Sequence, residues 1–76
     1  MNAQRRKEIS ALRDKLEALG SEAQDLLDQE QEYYDNMPEG FQQGEKGQMA
    51  EEAVSNLQEA VDNIDNALGN LDDAGQ

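Results

Sequence analysis

Val54 to Ala74 repeats one seven-residue pattern three times: Val54-Ser55-Asn56-Leu57-Gln58-Glu59-Ala60, Val61-Asp62-Asn63-Ile64-Asp65-Asn66-Ala67 and Leu68-Gly69-Asn70-Leu71-Asp72-Asp73-Ala74. Branched apolar residues hold the first and fourth places, Asn the third and Ala the seventh. Such a repeat keeps one seam of a slightly underwound helix against a partner. With the first and fourth places labelled a and d, the seam is Val54, Leu57, Val61, Ile64, Leu68 and Leu71. Ala at g widens it and lets a neighbouring backbone come close.

The first half of the chain carries a second helical pattern. Between about Ala3 and Asp35, Ile9, Leu12, Leu16, Leu19, Ala23, Leu26 and Tyr33 recur at steps of three and four, with Glu30 as the one break. Leu27 and Tyr34 stand beside that stripe and widen it. Gly20-Ser21 costs about 1 kcal/mol relative to Ala and permits a bend, or a division into two helices. Asn36-Met37-Pro38-Glu39-Gly40 ends the pattern, because Pro38 pushes Met37 out of the helical region and Gly40 frees the turn. The expected organisation is one domain, 1–76: helix one at about 3–35, a connection at about 36–46 with one short turn around Phe41, and helix two at about 47–73.

Two helices of roughly 40 to 50 Å each, at 1.5 Å per residue, joined by a short connection imply an antiparallel hairpin. Charge agrees. Helix one carries Arg5, Arg6, Lys7, Arg13 and Lys15 early, and helix two carries Asp62, Asp65, Asp72 and Asp73 late. Each cluster opposes its own helix dipole, and antiparallel pairing sets the two side by side. Both apolar stripes are wider than a two-helix seam needs. The expected fold class is therefore all-α: an antiparallel two-helix hairpin with heptad seams, dimerising into a four-helix bundle.

Composition narrows function mainly by exclusion. Seventy-six residues bury little surface, and with no Cys there is no disulfide staple or thiolate metal site. Without His the usual general base and the best zinc ligand are missing too, so neither an enzyme nor a cofactor is expected. Eighteen acids against six bases give a net charge of −12. That disfavours direct nucleic-acid binding and anionic membranes, and favours a basic protein partner. No apolar run reaches a membrane span, and none follows the basic start as in a signal peptide, so a cytoplasmic setting is expected.

Five features bear on recognition or ligand binding, and each has a plain structural reading beside it. Glu22 to Glu45 contains eight acids and no base; it is either a phosphate-mimicking surface or a solvated helix face. Asp62, Asp65 and Asp72 allow weak divalent binding at most, since no calcium loop is present. Gly44-Glu45-Lys46-Gly47 is too short for a phosphate loop and reads as a turn. Arg5, Arg6 and Lys7 could bind a small anionic ligand between protomers, or pair with the acidic end of helix two. Every aromatic lies near the connection, where with Met37 they either anchor a partner or plug the open end of the bundle; Tyr33 is expected in the seam, with Tyr34 and Phe41 wholly or partly available.

Arg5-Arg6-Lys7-Glu8-Ile9, then Glu30-Gln31-Glu32-Tyr33-Tyr34-Asp35-Asn36-Met37-Pro38-Glu39, then Glu45-Lys46-Gly47 and the Glu/Asp/Asn-rich heptads resemble small acidic helical proteins of bacteriophages and prophages, most without assigned function. The resemblance spans nearly the whole chain, and its distinctive part is Tyr34 to Glu39. It implies a non-catalytic accessory protein of the bacterial-host cytoplasm, in a class that includes inhibitors of host defence or nucleic-acid enzymes. The expected contact is with a basic host protein through Tyr34, Met37, Phe41, Asp28, Glu32, Asp35 and Glu39. An oligomeric sponge for an anionic signalling nucleotide, using Arg5, Arg6 and Lys7, is the alternative, and a purely structural oligomerisation module is a third. The oligomer seam would comprise Ile9, Leu12, Leu16, Leu19 and Leu26 with the heptad residues of helix two.

Overall fold

The chain forms three helices, α1 (Ala3–Asp35), α2 (Glu39–Gln42) and α3 (Glu45–Ala74), in a computed structural model that describes residues 2–76. No strand occurs among the described residues. Asn2 caps α1: its backbone is extended, and its side-chain oxygen accepts the Arg5 N–H at 2.7 Å. That satisfies one of the amides a helix start leaves without a partner. At the other end the Asn36 N–H donates to the Glu32 carbonyl at 3.0 Å, and Pro38 follows. Phe41 N–H reaches the Pro38 carbonyl at 2.8 Å, closing the single turn of α2. Gly44, in an extended conformation, then opens α3, with Glu45 in its first turn at the positive end of the dipole. Residues 45 and 46 thus belong to the helix and not to the connection, and α1 runs unbroken through Gly20.

The two long helices pack together. Ile9 lies beside Gly75, Arg13 Nε donates to Asp72 Oδ1 at 2.7 Å, and a Cβ on Gly20 would lie 3.0 Å from Cγ2 of Ile64. Near the connection Glu30 and Tyr33 face Lys46 and Met49 across a shared depression. Residue numbers therefore fall along α3 as they rise along α1. The core is slight. Among the described residues Leu27, Ala50 and Val61 are the buried hydrophobic ones, at 5%, 3% and 8% exposure, and Cα extents of 58 × 14 × 12 Å leave no room for an interior layer.

The face of α1 that meets α3 differs from the expected seam. Its less exposed positions are Ile9, Arg13, Leu16, Gly20, Ala23, Leu27, Glu30 and Tyr34. Leu12, Leu19, Leu26 and Tyr33 instead lie outside, between 53% and 55% exposed. Both stripes share Ile9, Leu16 and Ala23, so they differ by a rotation of the helix about its axis. Close approach decides between them. Gly20 and Ala23 let α3 come near, Arg13 reaches Asp72, and the Tyr34 carbonyl accepts from Gln42 Nε2 at 2.9 Å. The expected roles of Tyr33 and Tyr34 are accordingly exchanged: Tyr34 is turned inward and half-buried, and Tyr33 is out.

On α3 the a, d and g places share the contact. Val54, Leu57, Ile64, Leu68 and Leu71 are half-buried, as are Ala53, Ala60 and Ala67. Among the described residues no helix is long and apolar enough to cross a membrane.

Candidate functional site

The turn from α1 into α2 concentrates the exposed aromatic and acidic groups. Phe41, on the single turn of α2, is 61% exposed, and Met49 at the start of α3 is 63% exposed. A shallow depression of about 530 Å³ is lined by Gln29, Glu32, Tyr33, Asn36, Met37 and Pro38. Tyr33, Met37 and Pro38 supply its apolar lining. Asp28, Glu32, Asp35 and Glu39 are all exposed around this end. Gln24 Nε2 donates to Asp28 at 3.0 Å and Gln31 Nε2 to Asp35 at 2.9 Å, so two of these carboxylates are oriented along the outer face of α1.

Of the expected contact residues, the structure leaves Phe41 and the four acids open, keeps Met37 half-buried at the depression, and turns Tyr34 inward. Tyr33 and Met49 were missed as exposed groups. Met49 precedes the clear heptads, and its place beside Ala53 could have been found by extending them one unit towards Gly47.

The basic end is differently built. Arg5, Arg6 and Lys7 are exposed, and Arg5 lies 3.9 Å from Glu8 of its own helix. It is Arg13, not the trio, that bonds to the acidic end of α3, and it also pairs with Glu17. The hydrogen bond to Asp72, then that to Glu17, raises the Arg13 pKa above its usual value. The guanidinium therefore stays charged through the neutral range. A small depression of about 160 Å³ joins Arg6 and Arg13 to Ile9, Ser10, Leu71, Asp72 and Gly75. The Asp72 carboxylate inside it repels an anion. Among the described residues no three carboxylates are grouped as metal ligands would be.

No protein-family model, curated protein or solved structure matches this chain.

Proposed function

We propose that this is a non-catalytic binding protein that occupies the surface of a basic protein, with the connection end making the contact. Its framework is an antiparallel hairpin that dimerises into a four-helix bundle. The observation that carries the reading is Phe41: an aromatic ring 61% exposed on a one-turn helix, within a stretch of eight acids and no base. An exposed ring buries little on folding and much against a partner, and such rings dominate binding energy at interfaces. The acids around it favour a basic surface and speed the encounter with it. The resemblance to small phage proteins supplies the setting, inhibition of a host defence or nucleic-acid enzyme in the bacterial cytoplasm. An anion sponge is less well supported, because the depression at this end sets the Asp72 carboxylate beside Arg6.

The test has two steps. Proteins retained from bacterial lysate by the wild-type chain are identified, and the binding isotherm of the retained partner is then measured. Phe41→Ala is expected to weaken that complex by more than about 2 kcal/mol while leaving the melting curve in place. Affinity should also fall with added salt, since exposed charge pairs are screened over about 10 Å at 0.1 M. Unchanged binding by Phe41→Ala would move the contact elsewhere, and affinity indifferent to salt would remove phosphate mimicry. A chain that retains nothing would leave the structural-module reading.

A further inference from the structure

The largest feature that the pairing of α1 with α3 leaves unused is the outer ridge of α1. Leu12, Leu19, Leu26 and Tyr33 are spaced by seven and each is more than half exposed. The depression holding Tyr33 also holds Met49, Ala50 and Ala53, so the ridge and the g column of α3 share one face of the molecule. That column is Ala53, Ala60 and Ala67, again spaced by seven and half-buried. One face thus presents a ridge of large side chains beside a trough of small ones.

We infer that a second copy of this chain covers this face, with a two-fold axis along the helices, so that each protomer's ridge lies in the other's trough. Levels along the molecule support this. Gly20 stands beside Ile64 and Arg13 beside Asp72, which puts Leu19 and Ala67 within about 3 Å of one level at 1.5 Å per residue. Because both columns advance by seven, the same offset relates Leu26 to Ala60 and Tyr33 to Ala53. An axis along the helices preserves level, so Leu19 of one protomer meets Ala67 of the partner subunit. An axis across the helices would set large on large and small on small, leaving voids that close-packed interiors do not tolerate.

Charge selects the same occupant. The pairing brings Arg5, Arg6 and Lys7 of each protomer towards the acidic end of the facing α3, which carries Asp62, Asp65, Asp72 and Asp73. A basic macromolecule lying along the ridge would instead meet those cations and Lys15. This placement rests on the dimeric half of the reading above and not on the basic partner. It covers Tyr33, leaves Phe41 open, and sets both connections at one end of the bundle, where a partner could be held twice.

The absence of cysteine makes cross-linking a direct test. Chains carrying Leu19→Cys are mixed with chains carrying Ala67→Cys and oxidised, with exposed Ser55→Cys as the control. The covalent heterodimer is expected at least about tenfold faster than with the control, because only facing residues bring their Cα atoms within the roughly 7 Å a disulfide spans. Equal rates would overturn the placement. Faster linking of Leu19→Cys to Leu26→Cys chains would also overturn it, while keeping a dimer whose axis crosses the helices. Wild-type protein sedimenting as a monomer at micromolar concentration would remove the dimer itself and leave the Phe41 contact standing.

Discussion

Gly47→Ala is expected to lower stability by about 3 kcal/mol, the upper part of the usual range for overpacking. Gly47 is buried at the start of α3, where a Cβ would collide with the backbone of Gln42. Neither element can yield cheaply. The Gln42 backbone is pinned by the turn of α2, its N–H donating to the Pro38 carbonyl at 3.1 Å, and its side chain is tied to Tyr34. The gain in helix propensity from Gly to Ala, about 1 kcal/mol, is too small to offset the collision. In a domain of this size the net loss corresponds to a fall in melting temperature on the order of 10 to 20 °C. A thermal melt followed by circular dichroism checks it, and a melting temperature unchanged or raised would show that α2 does not sit against Gly47. Gly20→Ala is the milder contrast, because its new methyl would stand 3.0 Å from the Cγ2 of Ile64, a side-chain atom, and meet no backbone within 4 Å outside its own helix.

Leu27→Ala is expected to cost about 2 to 5 kcal/mol, the usual range for emptying a packed aliphatic site. Leu27 is the one large α1 side chain that the chain buries by itself. Among the described residues Ala50 and Val61 are its buried hydrophobic company, so the protein has little reserve against its loss. Denaturant unfolding of the variant measures the effect, and a change below about 0.5 kcal/mol, the level of an ordinary surface substitution, would place the core elsewhere.

The helical halves were legible because their apolar residues recur at helical spacing and because Asn36-Met37-Pro38-Glu39-Gly40 stops a helix on local chemistry. The turn around Phe41 followed from the same residues. The face of α1 that meets α3 was not legible. The inner positions include Arg13, Gly20 and Glu30, which read as polar or as a break, while Leu12, Leu19 and Leu26 read as core. Only the close approach at Gly20 and the Arg13–Asp72 bond reveal how the helix is turned. That same rotation exchanged Tyr33 and Tyr34, which are adjacent and of one type, so no sequence pattern separates them. Apolar periodicity reports that a residue is covered, not by which neighbour. Where the covering group is a second molecule, the two cases look alike in sequence.

Folding and association are expected to be one event, since among the described residues a single chain buries three hydrophobic side chains and leaves a seven-spaced ridge outside. The most direct measurement is the melting temperature as a function of protein concentration. Mass action requires a self-associating fold to melt higher as it is concentrated, whereas an autonomous monomer melts at one temperature. The account predicts a rise of several degrees between low and high micromolar protein, lost in Leu19→Asp, which puts a charge into the ridge. A wild-type melting temperature constant across that range, together with a monomer's sedimentation, would contradict it.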